Sequence, residues 1–165
     1  MHLTFARAEA EDARAVTELR VAVARDLTAR FGRGHWSSEP SEQGVLSGMR
    51  QTPTWVARQG PDVVATFRLG TRKPWAIDRS YFSASERPLY LTDMAVRPDS
   101  QRRGIGRRCL DEAVRIARDW PADGIRLDAY DADAGAGPFY GKCGFREVGR
   151  ASYRGVPLIY YELML

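Results

Sequence analysis

The chain has few of the features that mark disulfide-stabilised, metal-binding or membrane proteins. Its 165 residues include only 2 cysteines, Cys109 and Cys143, which make neither a disulfide framework nor a metal-ligand spacing. No apolar run approaches the roughly 20 residues that a membrane span requires, and the N-terminus has no basic segment followed by an apolar one. We therefore expect a cytoplasmic protein with reduced, buried thiols, no metal and no membrane contact.

A strong excess of one charge is also missing. The 25 basic and 21 acidic residues give a net charge of +4, and most of the basic residues are arginine. The arginines are scattered along the chain, apart from a group at Arg102, Arg103, Arg107 and Arg108. A nucleic-acid-binding protein is expected to show a continuous basic face or an interleaved aromatic platform, and neither is evident. The pattern favours a protein without a nucleic-acid partner.

The length suits one folded unit. A chain of 165 residues buries roughly 70% of its unfolded surface, which is enough for one hydrophobic core. The sequence contains no internal repeat and no low-complexity tract. We predict a single domain over residues 1–165.

The most informative segment, residues 89–109, runs an apolar strand into a turn with Gly104 and Gly106 that opens an amphipathic helix. A helix start leaves backbone N–H groups unpaired and carries partial positive charge, so it can bind a phosphate or pyrophosphate. The turn lacks the G-x-x-x-x-G-K-[ST] sequence, and Cys109 replaces the third glycine of a G-x-G-x-x-G fingerprint. Nucleoside triphosphate hydrolysis and Rossmann-type dinucleotide binding both lose support.

The turn Gln101-Arg-Arg-Gly104-Ile-Gly106 resembles the acetyl-CoA signature Q/R-x-x-G-x-G/A of the GNAT superfamily of N-acetyltransferases. Downstream, Phe139-Tyr140-Gly-Lys-Cys-Gly144-Phe145 is similar to the family element F-Y-x-K-x-G-F. The resemblance implies acetyl-CoA as acyl donor. The residues that it implies for cofactor binding are Met94, Val96, Gln101, Arg102, Arg103, Gly104, Ile105, Gly106, Arg107, Asp133 and Tyr140. At Asp133 the family usually has Asn.

The same resemblance implies an α/β (α+β) fold with a mixed, mostly antiparallel central sheet flanked by helices. A splayed pair of parallel strands would hold the cofactor. Hydrophobic periodicity and the placement of Gly and Pro indicate the elements. Strands are predicted at 3–7, 54–58, 63–70, 89–96, 125–130, 145–153 and 157–163, and helices at 9–30, 40–50, 104–120 and 138–142. Residues 71–88 have no clean periodicity and are expected to form a long loop.

The chemistry of amine acetylation assigns roles to particular side chains. The resemblance gives Tyr140 the role of general acid toward the departing CoA thiolate. Asp93 lies on the strand expected to border the reacting carbonyl, and a carboxylate there could take the proton of the amine directly or through water. It could equally be a solvated residue or an ion-pair partner. Glu86, Asp78 and His35 are further candidates for the base, and ordered water could replace a dedicated side chain.

The acceptor amine is not identified by these motifs. Trp36, together with Asp78 and Tyr81 from the irregular segment, is predicted to contribute to an acceptor pocket, although the aromatic residues there could instead pin the loop to the body. Small-molecule and peptide amines both remain open. The leading function is an acetyl-CoA-dependent N-acetyltransferase that acts by direct attack in a ternary complex. The alternatives are a non-catalytic acyl-CoA-binding or sensing domain and a nucleic-acid-binding module. A homodimer formed through the terminal strands is also compatible with the sequence.

Overall fold

The computed structural model of the protein describes residues 2–165. Their strands and α-helices alternate in nearly the predicted order and positions. In chain order they are β1 Thr4–Arg7, α1 Ala13–Phe31, α2 Glu42–Gln51, β2 Thr54–Gln59, β3 Asp62–Gly70, β4 Pro88–Val96, α3 Ile105–Asp119, β5 Gly124–Tyr130, α4 Gly137–Lys142, β6 Arg146–Tyr153 and β7 Val156–Met164.

The strands form one seven-stranded sheet in the order β1-β2-β3-β4-β5-β7-β6. The pairs β1–β2, β2–β3, β5–β7 and β6–β7 are antiparallel, whereas β4 and β5 are parallel. The parallel register runs from Pro88↔Gly124 to Tyr90↔Arg126, and β4 continues from Leu91 to Val96 beyond it. This mixed, mostly antiparallel sheet with flanking helices confirms the predicted fold class.

The chain divides into two compact units. The first holds the chain up to Leu69 together with Asp93–Glu112, and the second holds Gly70–Thr92 together with Ala113–Leu165. The boundaries fall inside β4 and α3, so each of these elements contributes to both units. The single domain predicted over residues 1–165 stays a prediction.

The core of the first unit forms where α1 and α2 pack against the sheet. Ala13 and Val16 of α1 are buried with Val45 of α2 and Val56 of β2. The helix α1 ends at Gly32, whose φ of 83° is easily reached only by glycine. Its α-helical start lies later than predicted, because residues 10–12 form a 3₁₀ turn in which the Asp12 carboxylate accepts the N–H of Glu9 at 2.9 Å.

The irregular segment 71–87 belongs to the second unit and is well anchored there. Ile77 and Phe82 are buried with Tyr90, Leu158 and Tyr160. The Tyr160 hydroxyl donates to the carbonyl of Ala76, and the N–H of Asp78 donates back to that hydroxyl at 3.3 Å. Trp75 behaves differently, since 84% of its surface is exposed. The segment is therefore an ordered loop held by its own aromatic and aliphatic side chains.

No helix within residues 2–165 has both the length and the apolar character needed to cross a bilayer. The same residues contain no group of three or more His, Cys, Asp or Glu side chains arranged to bind a metal.

Candidate active site

The turn between β4 and α3 has the backbone expected of an anion-binding cradle. A 3₁₀ turn, Pro98–Ser100, follows β4, and the chain then passes through positive φ at Arg102 (61°) and Gly104 (79°) before α3 begins at Ile105. Departures of this kind from the helical and extended regions turn successive N–H groups toward one side and make a concave site for anions. The cradle, residues 101–107, thus combines a turn of this type with a helix N-terminus.

The cradle lies at the surface of the protein. A Cβ atom added at Gly104 would meet no atom within 4 Å. The side chains of Arg102, Arg103 and Arg107 lie at the surface around it. Because guanidinium groups bind phosphate oxygens through paired N–H donors, these residues fit the phosphates of a CoA-type cofactor.

The end of β4 is fixed by the side chain of Gln101. Its Nε2 donates to the carbonyl of Val96 at 3.0 Å, and the N–H of Arg97 donates to the carbonyl of Val64 at 2.8 Å. Met94 and Val96 are both half-buried. This hydrogen bond from Gln101 holds the strand end that leads into the cradle, and the predicted contact of Gln101 with the cofactor stays a prediction.

Cys109 lies one turn after the start of α3 at Ile105 and is fully buried. Burial raises the pKa of the Cys109 thiol to about 12. The thiolate is the nucleophilic form of cysteine, so this residue is unsuited to carry an acyl group. Cys143, expected to be buried, is instead partly exposed.

Asp93 in β4 combines an unusual backbone conformation with two ion pairs. Its φ is 50°, an unusual value for a residue with a side chain in a strand. Its Oδ2 accepts Nη1 of Arg68 at 2.9 Å and its Oδ1 accepts Nη2 of Arg20 at 3.3 Å. The other terminal nitrogen of Arg68, Nη2, donates to the carbonyl of Gly48 at 3.1 Å. The structure therefore gives Asp93 the ion-pair role that the sequence left open, with two partners.

Neither arginine was assigned to the site from the sequence, although the position of each in its helix or strand indicates that it faces inward. Arg20 follows Val16 by one helical turn and so lies on the buried side of α1. Arg68 lies two residues after the buried Thr66 of β3 and so on the same face of the strand. A charged side chain at either position needs a buried or half-buried partner of opposite charge. The partner could not be found from the sequence alone, because Asp93 lies 73 residues from Arg20 along the chain.

Tyr140 belongs to the second unit, where it lies in α4. Its ring is 8% exposed and contacts the rings of Phe139, Phe145 and Tyr161. Burial raises the pKa of Tyr140 well above its ordinary value, with a smaller contribution from the negative charge of Asp128. The hydroxyl consequently stays protonated at neutral pH and is able to donate.

Local sequence explains how the tyrosine element folds. Pro138 stands in the first turn of α4, where a missing N–H costs nothing. Gly137 is required there because a Cβ would lie 2.4 Å from the Tyr161 hydroxyl. After the helix, Gly144 takes a φ of 93° and the N–H of Phe145 donates back to the carbonyl of Tyr140 at 3.1 Å. Asp133 is exposed in the turn that precedes α4.

The three predicted acceptor residues lie in different places. Trp36 is in the first unit, half-buried, and its Nε1 donates to the carbonyl of Gly32 at 2.9 Å. Asp78 and Tyr81 are in the second unit. The Asp78 carboxylate accepts the N–H of Ser80 at 2.9 Å, and Tyr81 packs edge-on against Tyr160. All three therefore make contacts that shape their own segments.

Comparison with known proteins agrees with this architecture. The model of the Acetyltransferase (GNAT) family matches residues 14–145. An N-acetyltransferase from Staphylococcus aureus Mu50 is 15% identical, with 99% of each chain covered and a TM-score of 0.73. Ribosomal-protein-alanine N-acetyltransferase from Brucella melitensis is 17% identical, with 98% of this chain and 99% of that one covered and a TM-score of 0.71.

A third similar structure was solved with a ligand. It is YncA from Salmonella typhimurium with its cofactor acetyl-CoA, 16% identical, with 99% of this chain and 94% of that one covered and a TM-score of 0.70. Identities this low show that the fold is shared. No curated protein matches the chain.

Proposed function

Because the chain belongs to the GNAT acetyltransferase family, we propose that it is an acetyl-CoA-dependent N-acetyltransferase. The acetyl group passes to a primary amine of a small molecule or peptide by direct attack in a ternary complex. The observation that carries the proposal is the cradle between β4 and α3, where positive φ at Arg102 and Gly104 directly precedes the N-terminus of α3. Acetyl-CoA supplies the activated acyl group as a thioester.

Binding of the cofactor is assigned to two parts of the first unit and to one residue of the second, Asp133. The backbone N–H groups of the cradle and the side chains of Arg102, Arg103 and Arg107 hold the phosphates. The main chain at Met94 and Val96 binds the pantetheine arm, and an N–H there polarises the acetyl carbonyl. Ile105 and Gly106 contribute through the backbone of the helix start, and Asp133 contributes from the turn before α4.

Tyr140 is proposed as the general acid. A thiol has an ordinary pKa near 8.5, lower than that of a phenol, and burial raises the pKa of Tyr140 further, so complete proton transfer from the tyrosine to a solvated thiolate is uphill. Removal of water from the departing sulfur raises its basicity and narrows that difference. The hydroxyl therefore acts by donating a short hydrogen bond, and finally its proton, as charge develops on the sulfur.

The route of the amine proton is proposed to run through ordered water. Asp93 is the side-chain candidate, but protonation of its carboxylate would leave Arg20 and Arg68 without their common counter-ion. Both ion pairs therefore stabilise the charged carboxylate and oppose a role for Asp93 as the base that takes the amine proton. Asp93 then contributes its negative charge, which attracts the ammonium form of the acceptor, while water carries the proton away.

Acceptor recognition is proposed to involve Trp36, Asp78 and Tyr81. Similar structures do not decide the acceptor, since one is a ribosomal-protein-alanine N-acetyltransferase and another is described as a putative phosphinothricin N-acetyltransferase. At 17% and 19% identity neither acceptor is assigned to this chain. Acceptor identity has to come from a panel of amines.

The experiment is a thermal-shift titration with acetyl-CoA and CoA, followed by thiol release against amines in the same preparation. A ligand at 100 times its dissociation constant stabilises the folded state by about 2.7 kcal/mol, so binding is readily detected. We expect stabilisation together with amine-dependent thiol release. Stabilisation with no amine-dependent release from any amine would favour the acyl-CoA-sensing alternative, and no stabilisation at saturating cofactor would contradict the cradle.

A further inference from the structure

A small pocket lies within the first unit, beside Asp93 of β4. Its walls come from α1, α2, β2, β3 and β4, and its volume of about 20 Å³ has room for about one water molecule or one ligand oxygen. Val16, Val45 and Met49 supply an apolar wall. The charged residues that line it are Arg20, Arg68 and Asp93. We refer to these six residues as the arginine pocket.

The arginine pocket carries an excess of positive charge. Among its lining residues two guanidinium groups face one carboxylate, so Asp93 neutralises only half of their charge. The side chains are also shielded, with 26% of Arg20 and 21% of Arg68 exposed. Shielding weakens the screening of charge by water and strengthens the attraction of a second anion.

Arg68 retains a buried donor that the protein leaves unused. Its Nη1 and Nη2 bond to Asp93 and to the carbonyl of Gly48, but its Nε is buried and has no partner among the described residues. Buried donors are nearly always satisfied, and an exception indicates strain, a role in function or a missing ligand.

Arg20 has the geometry of a group that can exchange partners. Its contact with Asp93 is 3.3 Å, longer than the 2.9 Å contact of Arg68. Charge-assisted hydrogen bonds usually measure about 2.7–2.9 Å, so the Arg20 pair is loose. Arg68, which also contacts the backbone at Gly48, is the fixed member.

We propose that the acceptor carries a carboxylate or comparable oxyanion near its amine, and that Arg20 and Arg68 bind this anionic group. The inference rests on the proposed acetyltransferase function and names its substrate class. Asp93 directly precedes Met94, whose main chain is assigned to the cofactor, so the pocket adjoins the strand that borders the reacting carbonyl. The ammonium of the acceptor faces Asp93. Amino-acid-like molecules have this combination of groups.

The test compares each of several amino acids with its carboxamide, which keeps the amine but lacks the anion. Thiol release gives kcat/KM for both members of each pair. The variant is Arg20→Gln, and the matched control is Arg14→Gln, on the same helix but exposed and paired with Glu18. Circular dichroism and the acetyl-CoA thermal shift establish that both variants fold and bind cofactor.

We expect the wild-type protein to prefer the amino acid over its carboxamide by at least about tenfold, as one charged hydrogen bond would give. Arg20→Gln should remove most of that preference, chiefly through KM for the amino acid. Arg14→Gln should keep both the preference and the turnover of the carboxamide. Arg68→Lys, which retains the charge but lacks the planar guanidinium, should lower the preference while still folding.

The outcomes that overturn the proposal are separate from failure of the function itself. Turnover of amines with no preference for the anionic member would reject the anion site and leave the acetyltransferase intact. A preference that survives Arg20→Gln and Arg68→Lys would place anion recognition elsewhere. If inorganic phosphate raised turnover of the carboxamides, instead of competing with the amino acids, the pocket would belong to a free anion. Absence of thiol release with every amine would reject both proposals.

Discussion

Tyr140 is the residue whose chemistry is most open to direct test. Tyr140→Phe keeps the ring contacts with Phe139, Phe145 and Tyr161 but removes the hydroxyl. Loss of a positioned acid typically costs about 10²–10⁴ in rate, so we expect kcat to fall at least 100-fold with KM for acetyl-CoA within about threefold. Steady-state thiol release provides the measurement. The same substitution at Tyr153 in β6 is the control and should leave kcat unchanged.

Alkaline stability gives a second, independent check on Tyr140. Its pKa is raised in the folded state by burial, so above the ordinary value near 10 the unfolded chain releases a proton that the folded chain retains. The free energy of unfolding therefore falls as pH rises beyond about 10. Urea unfolding between pH 8 and about 11 should show a shallower fall for Tyr140→Phe. Parallel curves for wild type and variant would mean that the tyrosine titrates normally.

The two cysteines are expected to differ in reactivity. Cys109 is buried with its pKa raised to about 12, whereas Cys143 is partly exposed. Reaction requires the thiolate and access to it, so a disulfide reagent at pH 8 should label Cys143 first and reach Cys109 only after denaturation. The measurement is the number of labelled thiols per chain, which should rise from about one to two when guanidinium chloride is added. Equally fast labelling of both would contradict the burial of Cys109.

At the scale of elements, a pair of glycine substitutions distinguishes loss of cofactor binding at the cradle from loss of stability through backbone strain. Gly104 and Gly155 both have positive φ, 79° and 80°, and a Cβ at either would meet nothing within 4 Å. Alanine in this conformation costs about 1–2 kcal/mol, so both variants should lose similar stability, about 2–8 °C in Tm. Only Gly104→Ala should also weaken acetyl-CoA binding, by roughly tenfold.

Isothermal titration with acetyl-CoA measures this difference. Gly155 lies in the turn between β6 and β7 and serves as the matched control. Equal affinity of the two variants for acetyl-CoA would show that the cradle backbone takes no part in binding.

The loop 71–87 depends on a buried carboxylate for its attachment. Oε1 and Oε2 of Glu162 accept the hydroxyl and the N–H of Ser83 at 2.6 and 3.1 Å, and Nη2 of Arg146 donates to Oε1 at 2.6 Å. Burial alone would raise the pKa of Glu162, but the hydrogen bonds from Ser83 and Arg146 outweigh it and lower the pKa. The charged form is therefore the one that stabilises the fold.

Glu162→Gln should lower the free energy of unfolding at pH 7 by about 1–3 kcal/mol. The stabilisation is complete above the unfolded pKa near 4.3 and is lost as pH falls through the lower folded value, so the gap between wild type and variant should narrow in acid. Urea unfolding at pH 7 and at about pH 3 measures the gap. Glu147→Gln, at a more exposed pair with Arg150, is the control and should have a smaller effect. A gap that is the same at both pH values would refute the assignment.

For the molecule as a whole, local patterns in the sequence predicted most of the fold. The apolar periodicity of α1, the Gly32 stop and the Gly-containing turn before α3 each reflect physics within a few residues, and the structure has them in place. The sequence also located the cradle and the tyrosine element by their motifs. Features that depend on distant partners were not predictable in this way. The ion pairs of Asp93 and the burial of Ile77 and Phe82 arise only when separate segments meet.

Some whole-molecule predictions await experiment. A homodimer through the terminal strands stays a prediction, as do cytoplasmic location and the absence of a nucleic-acid partner. The strand order leaves β1 and β6 at the edges of the sheet, so β6 of the terminal hairpin offers unpaired backbone groups for a second copy.

The central claim is direct transfer of an acetyl group to an amine, and mass spectrometry of one reaction tests it most directly. The protein is incubated with acetyl-CoA labelled in the acetyl group and with the best acceptor from the thiol-release panel. We predict that the label appears on the acceptor nitrogen in an amount equal to the CoA released, with none on the protein. Label recovered as acetate, or covalently attached to the chain, would contradict the proposed mechanism.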